Sequence, residues 1–417
     1  MEKIIVVFAD YEIKEEETNE FLELVAACDM EVDATFTQLL KQIHLRTLIG
    51  KGKCEEILEY LQEHEINIVL FHRNLSPMQI RNLEEYWNVT VMDRSDLILE
   101  IFSRRAMSPT ARLQIESAQL KKQLPRLVGA NTQLGRQSAS GKNKGAGEKQ
   151  LELDRRRIKS RIAQTTRDLK ELKAQRGTQR KARQKSQLPL VSLVGYTNAG
   201  KSTIMNALLS YTSQDDEKKV LEKDMLFATL DTSIRRIDLP HGRSFLISDT
   251  VGFVRDLPHE LIEAFHSTLE EVTFADLLLQ IVDVSSEDVT KQMEVTKATL
   301  ERIHASSIEM ITVYNQCDKV DIAYPYADEH SLHISAKDDK SIEVLIDTIC
   351  HHIFPQTTKV SLCIPYEKSA MYSHLQENAY IINREDQEDG MHIEVELDET
   401  LLKTYESYVF HPNERES

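Results

Sequence analysis

Apolar and polar positions along this chain follow two periods that alternate segment by segment. Ile4, Ile5, Val6, Val7 and Phe8 form a short apolar run closed by Asp10, and residues 32–37, 66–71 and 89–92 are further strand-like segments. These runs predict strands. Between them, residues 18–28, 54–63 and 77–87 place apolar side chains at helical spacing, with Phe21, Leu22, Leu24 and Val25 in the first. The alternation over residues 1–106 predicts a small α/β domain with a mostly parallel sheet. Thr47-Leu48-Ile49-Gly50-Lys51-Gly52-Lys53 reads as a glycine turn that caps a helix, with a phosphate contact as the alternative.

The period then becomes purely helical. Leu113, Ile115, Leu120 and Leu124 predict a helix over 112–126, with Pro125 marking its end. Residues 128–149 hold Gly129, Gly135, Gly141, Gly145 and Gly147 among Ser, Asn, Gln and Lys, a composition that builds no packed core. Leu151, Ile158, Ile162, Leu169 and Leu172 predict a second helix over about 150–184. Together these segments, residues 107–186, predict a helical hairpin tipped by a basic loop. Residues 187–355 return to strand-and-helix alternation, and 356–417 predict a small α+β unit with strands at 359–365 and 391–395 and a helix at 369–378. No long-period repeat is evident.

The 417 residues suit two to four domains, at about 150 residues each. Hydrophobic content of 41% and charged content of 29% are those of a globular protein. No apolar run approaches the ~18 residues of a membrane span, and the N-terminus lacks a signal-peptide pattern. Cys28, Cys54, Cys317, Cys350 and Cys363 are scattered without a C-x-x-C pair, which suggests neither a disulfide framework nor a zinc site. A cytoplasmic, monomeric protein is expected.

Charge changes the picture more. From Arg136 to Lys185 the chain carries 17 Lys/Arg against 5 Asp/Glu, although the whole is −17. A local excess of 12 positive charges inside an acidic protein points to a polyanionic partner met at one place.

Candidate chemistry centres on Gly195-Tyr196-Thr197-Asn198-Ala199-Gly200-Lys201-Ser202, which fits G-x-x-x-x-G-K-[ST], the phosphate-binding P-loop. The apolar segment from Leu190 to Val194 precedes it, and a helical segment from Thr203 follows, as the motif requires. Backbone N–H groups of the loop and helix start face phosphates. Lys201 is expected at the β/γ oxygens and the Ser202 hydroxyl on Mg²⁺. Asp249-Thr250-Val251-Gly252 is a D-x-x-G, whose Asp holds Mg²⁺ through water and whose Gly N–H meets the γ-phosphate. Asn315-Gln316-Cys317-Asp318 is close to N-K-x-D. The Asp318 carboxylate accepts from two N–H groups of guanine, a pattern adenine lacks, and an unpaired buried polar group is costly enough to reject ATP. Ser335-Ala336-Lys337 offers backbone to guanine O6. All of these follow predicted strands, at the sheet ends where ligands of open α/β folds bind.

Phe227-Ala228-Thr229-Leu230-Asp231 lies between the P-loop and Asp249. Thr229 is the candidate switch residue closing on Mg²⁺ and the γ-phosphate, with Thr232 and Thr250 as competitors. Gly252 is followed by Phe253, where many GTPases carry a water-orienting Gln. A phenyl ring cannot orient water by hydrogen bonding, so intrinsic hydrolysis of GTP to GDP and phosphate is expected to be slow without a partner. Arg235, Arg236 and Arg255 read as surface charges rather than arginine fingers.

With these motifs placed, the chain resembles the HflX family of GTPases. The resemblance rests on residues 195–203, on Leu226 through Asp231, and on Asp249 through Phe253. It also rests on Ala111-Arg112-Leu113-Gln114, Leu124-Pro125-Arg126-Leu127 and the string from Gln150 to Ile158. It implies a GTPase that binds the 50S subunit, places the 128–149 tip near the peptidyl transferase centre, and splits stalled or idle 70S ribosomes. It further implies hydrolysis stimulated by the ribosome and, through Asn198, potassium activation. The tip is less glycine-rich than is usual in the family, which is similar to variants that protect ribosomes from antibiotics. Gln316 replaces the usual lysine, and Thr232 a common proline. A regulatory switch acting on a protein or membrane partner, and a ribosome assembly factor, are the alternative readings.

Overall fold

The computed structural model describes residues 2–137, 144–184, 188–212, 233–239, 243–250, 252–253, 271–354, 358–387, 389–397 and 399–410. The architecture is mixed α/β. The N-terminal region runs β1 (Glu2–Asp10), α1 (Glu15–Ala26), β2 (Met30–Leu39), α2 (Lys51–His64), β3 (Ile68–Phe71), α3 (Pro77–Trp87), β4 (Thr90–Met92) and α4 (Arg94–Arg105). Its sheet has the order β2-β1-β3-β4, every pair parallel. β1 is buried on both faces, which is why its sequence is continuously apolar. Ile4, Val6 and Phe8 enter one core, and Ile5, Val7 and Ala9 the other. Gly50 is the N-cap of α2, so the 47–53 turn caps a helix.

The helix α4 was not anticipated, although its start carries a readable signal. Asp93 is its N-cap and accepts from the Asp96 N–H, while the Asp96 side chain accepts from the Asp93 N–H.

Pro125 does not end the next helix. α5 spans Pro109–Gln137 with Pro125 inside it. An interior proline costs a helix about 3 kcal/mol. Flanking ion pairs hold the turn in place: Lys122 meets Asp93 and, at 2.8 Å, Asp96, and Arg126 meets Asp96 at 2.7 Å. α6 (Lys144–Gln184) packs against α5, and Arg161 grips Glu116 through both Nε and Nη2. The stretch expected as a glycine-rich loop, 128–149, is therefore helical up to Gln137 and again from Lys144. Residues 138–143 lie outside the described residues.

A sheet of order β10-β11-β9-β8-β5-β7-β6 follows. Its strands are β5 (Leu190–Gly195), β6 (Ser233–Asp238), β7 (Ser244–Asp249), β8 (Leu277–Asp283), β9 (Met310–Asn315), β10 (Tyr326–Ala327) and β11 (Ser331–His333). The five central strands are parallel, and β6 and β10 are antiparallel edges. Helices α7 (Lys201–Thr212), α8 (Val289–Arg302) and α9 (Asp339–Ile353) accompany it. The C-terminal sheet has the antiparallel order β13-β14-β12-β15, from β12 (Thr358–Ile364), β13 (Tyr380–Gln387), β14 (Gly390–Leu397) and β15 (Val409–Phe410). Beside it run α10 (Ser369–Asn378) and α11 (Glu399–Tyr405). Among the described residues no helix is long and apolar enough to cross a membrane.

Candidate active site

β5 lies between β7 and β8, so its C-terminal end opens at the middle of the sheet edge. Gly195 ends it with φ 143°, and a Cβ there would stand 2.2 Å from the Ile281 carbonyl oxygen. Only glycine lets the chain leave the strand at that point. Gly200 has φ 91°, and its Cβ would meet Asn315 Nδ2 at 2.3 Å. Asn198 between them is left-handed at φ 63°, a conformation Asn tolerates. The loop feeds α7, whose first N–H groups lack intrahelical partners and favour an anion.

Lys201 lies folded into this loop. Its ammonium donates to the carbonyls of Gly195 at 3.1 Å and Tyr196 at 2.7 Å, and the residue is 6% exposed. Burial pulls its pKa down to about 8, against the opposing pull of the Asp249 charge. The Ser202 hydroxyl donates to Asp249 Oδ2 at 2.8 Å. Thr203 is half-buried on the same helical turn.

The D-x-x-G segment lies against the P-loop. The Thr250 hydroxyl donates to the Leu193 carbonyl at 2.7 Å, which ties it to β5. A Cβ on Gly252 would stand 2.6 Å from Thr197 Cγ2 and 3.0 Å from Lys201 Nζ. Phe253 bridges to Tyr196: its N–H donates to the Gly195 carbonyl at 3.1 Å, and its carbonyl accepts from the Thr197 N–H at 2.8 Å. The Phe253 ring is 1% exposed and packs with Val194, Val272, Leu278, Leu300 and Ile303. It points into the core.

Asn315, ending β9, is a strap between loops. Its Nδ2 donates to the Ala199 carbonyl at 3.0 Å, and its Oδ1 accepts from the Ala336 N–H at 3.0 Å. Gln316, left-handed at φ 65°, donates from Nε2 to the Asn198 carbonyl at 3.2 Å. Cys317 is buried, and burial raises its thiol pKa. Asp318 accepts from the Ser335 hydroxyl at 2.8 Å and faces Lys337 Nζ at 3.8 Å. The residues singled out at 195–203, 249–250, 252, 315–318 and 335–337 therefore stand at one sheet edge. Phe227, Ala228, Thr229, Leu230, Asp231 and Val251 lie outside the described residues, as does Arg255. Arg235 and Arg236 are exposed on β6.

Sequence reasoning missed one contact at this edge. The Tyr196 hydroxyl donates to Glu20 Oε2 of α1 at 2.9 Å, and the Tyr196 ring belongs to the N-terminal core with Phe21 and Leu24. A separation of 176 residues leaves no local signal for it.

Comparison with known proteins covers most of the chain. Residues 15–103 match the family described as GTP-binding GTPase N-terminal, and 105–183 the GTP-binding GTPase middle region. Residues 190–316 match the 50S ribosome-binding GTPase family. GTPase HflX of Caldanaerobacter subterraneus subsp. tengcongensis is 41% identical over 394 residues, which span 94% of this chain and 90% of that protein. GTPase HflX of Escherichia coli K12 is 36% identical over 381 residues, spanning 90% and 88%. A solved GTP-binding protein from Sulfolobus solfataricus, in complex with GDP, aligns over 85% of this chain and 99% of its own at 21% identity, with a TM-score of 0.46. With three family matches in chain order and relatives of this identity along nearly its full length, the chain belongs to the HflX family of GTPases.

Proposed function

We propose that this GTPase works on the ribosome: it binds the large subunit through the basic helical pair, and that contact switches on GTP hydrolysis. The observation that carries the reading is Phe253. Its ring is buried where related enzymes present a side chain to the attacking water, so the isolated site lacks that group. The excess of positive charge over residues 136–185 suits rRNA, and the 50S ribosome-binding description of the matched family supports the same partner.

In this reading the phosphates lie over the loop from Gly195 to Thr203, and Lys201 exchanges its two carbonyl partners for β/γ oxygens. Gly252 lies beside Lys201, and its N–H is the donor this reading assigns to the γ-phosphate. Asp318 selects guanine, the backbone of Ser335, Ala336 and Lys337 faces O6, and Asn315 holds the two loops in register. Ser202 and Asp249 present hard oxygen donors 2.8 Å apart, a donor set that fits Mg²⁺, with Thr229 as a further donor. Bound Mg²⁺ would neutralise charge between the β- and γ-phosphates.

The work done on the ribosome is the splitting of 70S particles in the cytoplasm. Pelleting through sucrose tests the partner: the chain with a non-hydrolysable GTP analogue should sediment with 50S subunits in a salt-sensitive manner. Replacing Lys144, Lys149, Arg155, Arg156 and Arg157 with Gln should abolish this. Binding that ignores both salt and these charges would refute the proposal. A profile of 70S particles in the same gradients separates splitting from simple binding, and added antibiotic at the peptidyl transferase centre tests protection.

A further inference from the structure

The C-terminal sheet has one face packed on helices and one that is not part of its core. Leu362 and Ile364 of β12, and Met391 and Ile393 of β14, are buried in that core. Cys363 and His392 alternate with them, so they point to the opposite face. They are direct register partners across the antiparallel pair.

Their side chains converge. Cys363 Sγ stands 3.6 Å from His392 Nε2, and His392 Nε2 stands 2.9 Å from Asp389 Oδ1. The three donor atoms lie within 4.8 Å of one another. Gly390, at φ 151°, allows the approach: a Cβ there would strike the Ile364 carbonyl oxygen at 2.7 Å and crowd Cys363 Sγ at 3.4 Å. Phe410 stands edge-on to the His392 ring at 5.1 Å. The His392 side chain is 12% exposed, while Asp389 is open to solvent.

We propose that Cys363, Asp389 and His392 form a binding site for a borderline divalent cation of the Zn²⁺ class. Zinc takes sulfur at about 2.3 Å and imidazole nitrogen at about 2.0–2.1 Å. A tetrahedral angle between those bonds separates S from N by about 3.5 Å, and the pair stands at 3.6 Å. One thiolate, one imidazole and one carboxylate leave the fourth position to water, so the ion remains exchangeable. A hard cation such as Mg²⁺ is a poor match for the thiolate. Spacing along the chain hid this site, because its donors come from two strands and a turn.

The test uses the purified full chain with GDP and Mg²⁺ present, so that the nucleotide site is occupied. Equilibrium dialysis against Zn²⁺ should give one more bound equivalent for the wild type than for Cys363→Ser or His392→Gln. Co²⁺ should give a thiolate charge-transfer band in the wild type that Cys363→Ser lacks. Far-UV circular dichroism and GTP turnover should be unchanged in both variants. Equal Zn²⁺ stoichiometry in the wild type and Cys363→Ser, or a Co²⁺ spectrum without a thiolate band, would overturn the proposal.

Discussion

Tyr196 of the phosphate loop donates its hydroxyl to Glu20 of α1 at 2.9 Å, and Glu20 also pairs with Arg94 at 2.5 Å. The nucleotide edge is thereby joined to the N-terminal core. Tyr196→Phe removes the bond but keeps the ring, and should destabilise the docking of α1 by about 1 kcal/mol. Amide hydrogen exchange across residues 15–26 should quicken in the variant. Unchanged exchange there would mean that the contact holds nothing in place. Glu20→Ala should cost more, because it also takes a carboxylate from the nearly buried Arg94.

Pro125 lies within α5, held by Lys122 and Arg126 on either side. Pro125→Ala restores a helical hydrogen bond and removes a clash, so it should stabilise the chain by up to about 3 kcal/mol. Thermal unfolding checks this. A melting temperature that stays level or falls would show that Pro125 does not destabilise α5 in this setting.

His72 sits among Phe8 and Phe21, where it accepts from the Ala9 N–H at 3.3 Å. Burial pushes its pKa down to about 4, with Asp10 pulling the other way. Its folded pKa lies below the unfolded value of about 6.5. The stability it contributes is therefore present above pH 6.5 and is lost as pH falls towards 4, by about 3 kcal/mol in all. His72→Gln should flatten the stability profile over this window in urea titrations at several pH values. Parallel profiles would contradict the assignment.

Lys201 carries a pKa lowered to about 8 by burial. Phosphate favours the charged form, so nucleotide binding should take up a proton above pH 8. GDP affinity should fall as pH rises from 7 to 9, and binding heats measured in buffers of different ionisation enthalpy should report the uptake. Pairs of buffers giving equal heats at pH 9 would show that Lys201 is already charged.

Local chemistry made much of this molecule readable. The P-loop shows in the sequence because its glycines and lysine fall within one short run, and the strands before Asp249 and Asn315 show because Phe245 and Ile247, and Ile311 and Val313, supply a buried apolar face. Other features depend on distance. Pro125 reads as a stop until the ion pairs of Asp93 and Asp96 are known. The edge strand β13 is polar along most of its length, so its pairing with β14 leaves little pattern. Cys363 and His392 meet only through strand register. The capping box of α4 is present in the sequence at Asp93 and Asp96.

GTP turnover by the purified chain, alone and with 50S subunits or 70S ribosomes, tests the central claim most directly. With Phe253 buried in the core, turnover should be slow alone and rise strongly with ribosomes, and the rise should vanish when the basic residues of α6 are neutralised. Equal turnover with and without ribosomes would contradict the account.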